Sequence, residues 1–540
     1  MRARPLSQKV LSRTVCAVLG TVAFACAAQT TSSLQTPWGT TVNEPSLPAA
    51  TAVCAVVKAT QTPVNGLLPA SLDSDPAKSA PDTASMQGKI NQCASGEAVH
   101  LVQGDAGQSG FLIGPITLKS GVTLWIDKGV TVFGSRNPAD YDNGVGLCGI
   151  ANTDATASCN ALISASKVTG AGIVGEGVID GRGGAVLTSG QNAGVKTWWD
   201  VAYQTKTANV TQHNPRLLDV EGGSNFTLYG VTFQNSPNMH VVLDKLDGVT
   251  AWGIKILSPS AAYTQGAYAC PKNTTPDQVS GTYATCFTPD TVKNTDGFDP
   301  GESSHIVLAY SYISDGDDHV AVKAGSGTGS QHLLFAHDHL YYGHGLSVGS
   351  ETNTGVSDVT VQDLVVDGHD SPNGVGIRIK SDASHGGVVN GVTYQGVCMQ
   401  NVRQPLVFDS YYSSSKGKKY PWFKNVTING LHDLGSVAYG GGQAVFAAYA
   451  KEPLQIALSN VQFDGAQPAT YMKGHNGSPS VLPANTVFTF GPGPVSFAQD
   501  LTQQHGTGVS FDGSITASPA PVDCSHAFVK FSSVQANAPI

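Results

Sequence analysis

Charge is scarce in this chain of 540 residues: Asp, Glu, Lys and Arg together make up 13% of it. The net charge is −9 and there is no basic tract, which argues against a nucleic-acid partner. No CxxC pair or His/Cys spacing resembles a zinc site, so neither a metal nor another cofactor is expected. The intervals between apolar segments lack the helical pattern, roughly 10–15 residues long, that a βαβ unit needs. What the chain has in quantity is glycine, 62 residues, beside 41% hydrophobic residues. That is the composition of a glycine-turned β protein rather than a disordered or coiled-coil chain.

The N-terminus carries Arg2, Arg4, Lys9 and Arg13, then an apolar run from Val15 to Ala28 with small residues at its end. The run is too short for a spanning helix with stop-transfer flanks and reads as a removable signal peptide, residues 1–28. Export is therefore expected, to an extracellular location with no membrane attachment after cleavage. Eight cysteines remain beyond residue 28, an even number suited to an oxidising compartment. Cys148/Cys159 and Cys270/Cys286 are near enough in sequence to staple local loops. The pairing among Cys54, Cys93, Cys398 and Cys524 stays open. Residues 29–80, rich in Thr, Pro, Ala and Ser, read as a loosely structured arm that Cys54 could tie down.

One short amphipathic helix is expected from Thr83 to Cys93, with Met86 and Ile90 on one face and Ser95-Gly96 as its stop. Beyond it a repeat appears. The octets Phe226–Phe233, Val249–Ile256, Ile306–Ile313, Leu333–Leu340 and Val359–Val366 share one pattern of apolar positions. Val392–Met399, Val426–Asp433 and Ile456–Phe463 continue it, less cleanly at the seventh. Each octet fits two short strands separated by a polar or glycine bend, and the spacing lies in the solenoid range. The expected fold is all-β: a right-handed parallel β-helix over residues 81–540, capped by the first helix and by a terminal segment after about Ser496. Two longer intervals, 183–212 with Trp198-Trp199 and 256–294 with the Cys270/Cys286 pair, read as insertions that could wall a groove. The two tryptophans either stack on sugars or pack a loop.

Between residues 294 and 349 three polar clusters recur at about one coil's spacing: Asn294-Thr295-Asp296, Gly316-Asp317-Asp318-His319 and Gly343-His344-Gly345. Arg378-Ile379-Lys380 follows one interval later. Any one Asp here could be a turn former, but the set would form a column on one face of a solenoid. Grouped carboxylates beside cations suit hydrolysis of an anionic sugar: one carboxylic acid protonates the leaving oxygen, another carboxylate activates water, and Arg and Lys hold the sugar's carboxylates. Adjacent Asp317 and Asp318 can share a face only if the backbone bends, and Gly316 permits that. Asp299, His240, His305, His337 and His339 are expected to be structural.

Asn-Thr-Asp, Gly-Asp-Asp, Gly-His-Gly and Arg-Ile-Lys in this order resemble the four signatures of family 28 glycoside hydrolases, the polygalacturonases. The resemblance extends to Leu118–Leu124, Pro215–Leu218 and Asn235-Ser236-Pro237. It implies a β-helix, no metal, and hydrolysis of α-1,4-linked galacturonan in de-esterified pectin with inversion. By that resemblance Asp317 is the general acid, Asp296 and Asp318 activate water, and His344 tunes the acid with Asn294 nearby. Arg378 and Lys380 bind galacturonate carboxylates, and a downstream tyrosine contacts the substrate, for which Tyr412 is preferred over Tyr411. The residue after Gly-Asp-Asp is commonly Cys in that family and is His319 here, a departure expected to bear on core packing. Endo action by a monomer is expected. The alternatives are an exo enzyme or a rhamnogalacturonan hydrolase within the family, a calcium-dependent pectate lyase, and a non-catalytic β-helix adhesin.

Overall fold

The computed structural model describes residues 32–540 except 158, 370, 414–415, 437–443, 466, 469–481 and 519. The expected signal peptide lies outside the described residues. Among the described residues no helix is long and apolar enough to cross a membrane.

The chain coils into a right-handed parallel β-helix, the sense that parallel crossovers take. Each coil contributes three strand segments. The first halves of all eight octets stack in register: Phe226 pairs with Val249, and so on through Ile306, Leu333, Val359, Val392 and Val426 to Ile456. The second halves stack likewise, Phe233 on Ile256, Ile313, Leu340, Val366 and Met399. These side chains fill one continuous core, and each fully buried one contributes about 1.5–3 kcal/mol. The weaker seventh octet ends on Asp433, which is buried and accepts hydrogen bonds from the backbone N–H groups of Gly435 (3.1 Å) and Ser436 (2.6 Å).

The bend inside every octet falls on its fifth residue, and that residue is left-handed in all eight: Gly230, Gly253, Tyr310, His337, Asp363, Gly396, Gly430 and Asn460. Glycine adopts this conformation without penalty. Tyr310 and His337 adopt it too, and their rings stack on each other at 4.6 Å.

The N-terminal helix Thr83–Gln92 buries Met86 and Ile90 against the first coil. The arm differs from expectation. Residues 33–43 form a hairpin, and Val53–Lys58 is a strand paired in parallel with Ala98–Val102. Two effects hold it: the open edge of the first coil accepts a strand, and Cys54 is bonded to Cys93. The other pairs are Cys148–Cys159, Cys270–Cys286 and Cys398–Cys524. The C-terminal segment also departs from a simple cap. The helix Ala498–Gln503 buries Leu501 against the end of the core, the strand Ser510–Gly513 adds a further rung on Thr486–Phe490, and the tail then runs back along the solenoid. There Phe531 stacks on Tyr341 at 4.9 Å, Gln535 donates to Thr232 and Asn537 to Gln234.

Candidate active site

The third strand of one coil meets the first strand of the next through a turn, and every sequence cluster singled out above sits there. Asp296 precedes the strand Phe298–Gly301, Asp317 and Asp318 precede Val320–Val322, and His344 precedes Leu346–Val348. These strands stack on each other, so the three turns stack too. Arg378 and Lys380 come from the next strand, Val375–Lys380. There Ile377 and Ile379 point into the core, which by alternation sends Arg378 and Lys380 to the outer face. The small neighbours Ala321 and Ser347 lie in register with Arg378 and leave it room to reach across two strands.

The backbone does bend at Gly316, though not by adopting a left-handed conformation. A Cβ there would lie 2.1 Å from the Val292 carbonyl oxygen, so the close approach of the preceding turn demands glycine. The Gly316 N–H donates to Thr295 Oγ1 at 2.8 Å, and the Asp317 N–H donates to Asp315 Oδ1 at 3.0 Å. Neither Asp317 nor Asp318 enters the apolar core. Asp318 is buried under cations: it accepts from Lys380 Nζ at 2.6 Å and pairs with the Arg378 guanidinium. Arg378 Nε also donates to Ser347 Oγ at 3.0 Å. Asp317 Oδ1 lies 3.1 Å from His344 Nδ1, and its Oδ2 accepts from Asn294 Nδ2 at 3.4 Å. The Tyr412 ring covers Lys380 at 4.8 Å and Arg378 at 5.8 Å. Tyr411 packs against Tyr449, their rings tilted with centroids 4.2 Å apart.

Environment pulls the three carboxylates apart. Burial and then repulsion from Asp317 and Asp299 push Asp296 well above the ordinary carboxylate range. Burial also works against charge on Asp317, but His344, followed by Lys380 and Lys206, outweighs it and holds the carboxyl below that range. For Asp318 burial is overcome by Arg378 and Lys380, and its carboxyl is lowered as well. The same burial leaves one oxygen of Asp296 without a hydrogen-bond partner among the described residues.

Sequence reasoning missed Lys323. It donates to Asp299 at 2.9 Å and stands 3.8 Å from Asp296, as the counter-charge nearest that carboxylate. Alternation along Val320–Lys323 was the signal: Val320 and Val322 face inward, so Lys323 shares the outer face with Arg378 and Lys380. Asp299, expected to be structural, is buried against Lys323, and burial pushes its carboxyl up to about 6 against the pull of that lysine. His240 is a satisfied buried histidine: its Nδ1 lies 3.1 Å from Thr295 O and 3.2 Å from Asp296 O, and its Nε2 lies 2.9 Å from Ser258 Oγ. Trp198 and Trp199 are fully buried: Trp199 packs edge-on against Tyr263 and Phe287 and donates to Ser236 O, so the pair packs a loop and does not stack on sugars. That cluster joins the two insertions, which both leave the solenoid at the same kind of turn, just before the site.

Asp317, Asp318 and His344 present ligand atoms within 4.8 Å of one another, a set able to hold a cation. The donor chemistry fits one poorly, because Arg378 and Lys380 already take both oxygens of Asp318.

The profile of glycosyl hydrolases family 28 matches residues 93–480. The chain belongs to that family. A polygalacturonase from Ralstonia solanacearum is 55% identical over 98% of this chain and 99% of its own length. An endo-polygalacturonase from Pectobacterium carotovorum subsp. carotovorum is 38% identical over 78% of this chain and 89% of its own length. The solved structure of a polygalacturonase from Erwinia carotovora ssp. carotovora covers 78% of this chain and 95% of that one, at 36% identity and a TM-score of 0.64. As a family 28 member the protein is a glycoside hydrolase, and its candidate site is the group of side chains on these three stacked turns and one strand.

Proposed function

We propose that the protein hydrolyses α-1,4-galacturonosyl linkages in polygalacturonan and de-esterified pectin, with inversion and from within the chain. The observation that carries this reading is the pairing of Asp317 with His344 directly beside Arg378, Lys380 and Tyr412. A proton donor then lies next to a cationic cradle for sugar carboxylates.

Asp317 acts as general acid, and Asp296 with Asp318 orients and deprotonates water. In the free site burial and repulsion raise Asp296 while cations lower Asp317, so substrate binding must reverse that order. Galacturonate carboxylates compete with Asp318 for Arg378 and Lys380 and bring negative charge beside Asp317. Both effects raise Asp317 and favour the proton there, while Lys323 stabilises the anionic form of Asp296. Asp317 then donates its proton to the glycosidic oxygen as that bond breaks. Water attacks the anomeric carbon from the opposite face and gives its proton to the Asp296/Asp318 pair. His344 beside Asp317 sets the charge against which the acid holds its proton, Asn294 orients the Asp317 carboxyl, and Tyr412 fixes the cations.

The 38% identity to an endo-polygalacturonase supports internal cleavage. Residues 1–28 serve as signal peptide and residues 81–540 as the catalytic unit, secreted and monomeric. The deciding assay follows viscosity and reducing ends together on polygalacturonate, with NMR of the first-formed anomer. Viscosity falling faster than reducing ends appear supports endo action, and digalacturonate as sole early product defeats it. An unsaturated product absorbing in the ultraviolet, or a faster rate on rhamnogalacturonan, overturns the substrate reading.

A further inference from the structure

We propose that His319 is a positioning residue for His344, locking the turn that carries it. The inference rests on the reading of Asp317 and His344 given above.

His344 sits between Gly343 and Gly345, whose φ values are +143° and +72°. A turn of this kind has little stiffness of its own, because glycine accepts many backbone conformations. His319, fully buried on the preceding coil, reaches both ends of it. Its Nε2 lies 2.6 Å from the Tyr342 carbonyl oxygen, and its Nδ1 lies 3.0 Å from the Gly345 nitrogen. A carbonyl can only accept and a backbone N–H can only donate, so the ring is neutral with its proton on Nε2. Burial favours that state, pushing the ring's pKa down to about 3. The ring thus ties together the residues on either side of Gly343-His344.

The space beneath the turn is filled to the limit. A Cβ on Gly343 would lie 2.6 Å from His319 Nε2 and 2.9 Å from Asp315 Oδ1. Asp315 in turn receives the Asp317 N–H at 3.0 Å. The backbone adds a further tie, the His344 N–H donating to Asp317 O at 2.7 Å. His319 therefore lies under the loop whose placement decides the 3.1 Å contact between His344 Nδ1 and Asp317 Oδ1. The position expected to bear on core packing bears on the stack of turns: His319 is fully buried and its ring meets the backbone of Tyr342 and Gly345. A side chain with one hydrogen-bonding atom, or none, cannot bridge Tyr342 and Gly345.

Four single variants and one double variant test this. Asparagine retains an acceptor near the Nδ1 position, glutamine a donor near Nε2, and leucine neither. We expect His319→Leu to lower kcat on polygalacturonate by about 10- to 100-fold with KM changed less than about twofold, the scale of a sub-ångström to ångström misplacement. His319→Asn and His319→Gln each recover part of that loss. In a His344→Ala background, His319→Leu costs nothing further, because the group it positions is gone. Melting curves confirm that each variant is folded; should the leucine variant unfold, the asparagine and glutamine variants decide. Wild-type kcat in folded His319→Leu overturns the inference. So does an added tenfold loss in the His344→Ala background, or asparagine and glutamine variants both at wild-type kcat. If His344→Ala alone keeps wild-type kcat, the role of His344 in the proposed mechanism is what fails.

Discussion

Replacing Lys323 by methionine tests the electrostatics of the site most directly. Lys323 stands 3.8 Å from Asp296 and is the chief group opposing burial and carboxylate repulsion there. Two unit charges about 4 Å apart attract by about 4 kcal/mol at an effective dielectric of about 20. The lysine side chain is 27% exposed, and solvent screening and local relaxation remove roughly half of that. The remaining ~2 kcal/mol raises the Asp296 pKa by about 1.5 units. Asp296 must be ionised to activate water, so the acid limb of kcat/KM moves upward by the same amount. Well below the limb the variant runs about 30-fold slower than the parent, and on the plateau it matches it. Stability responds with the opposite emphasis. Asp299 has a folded pKa raised to about 6, so its favourable contribution is complete below the ordinary Asp value and lost as pH rises through 6. Without Lys323 that pKa rises further, and the variant is less stable than the parent mainly above pH 6. The assay is reducing-end release from pH 3.5 to 7.5, with thermal melts at each pH. An acid limb unmoved within about 0.3 units in a folded, active variant would falsify the assignment of Asp296 as the base.

Asp317→Asn should keep the fold and bind polygalacturonate while losing on the order of 10² to 10⁴ in kcat, the usual worth of a positioned acid. A variant that binds normally, from a parent releasing no reducing ends, leaves only the adhesin reading. Chelation with EDTA should leave activity unchanged, since Asp318 is already neutralised by Arg378 and Lys380; loss on chelation, restored by calcium, refutes this. Asp180 and Asp433 are buried, with pKa values raised to about 6 by burial. Their favourable contributions are present below the ordinary Asp pKa and fade as pH climbs through 6, so the melting temperature should fall between pH 5 and 7. Asp433→Asn should flatten that decline, and an unchanged slope counts against the buried-acid explanation.

The octets made the architecture legible because a solenoid turns sequence period directly into stacking. Once Phe226, Val249 and Ile306 share a phase, their pairing needs no long-range information. The bend at each fifth residue was visible for the same reason. Asp317, His344 and Lys380 stood out by recurrence at about one coil's spacing and took their roles from motif resemblance, while Lys323 was readable from alternation alone and was passed over. The arm escaped because its apolar pattern is weak: Val53–Lys58 is ordered by an edge it joins and a disulfide it makes, neither of which is local.

The sequence by itself determined the coil, its register, and the column of polar turns on one face, since all three follow from periodicity and from the twofold alternation of strands. Only the tertiary structure decided what those polar groups do to one another. Which carboxylate keeps a proton depends on burial and on cations from other coils, Lys323 one coil from Asp296 and Arg378 with Lys380 two coils from Asp318. That His319 serves a turn depends on which backbone atoms lie beside it. Distances across coils set both, and no spacing along one chain contains them.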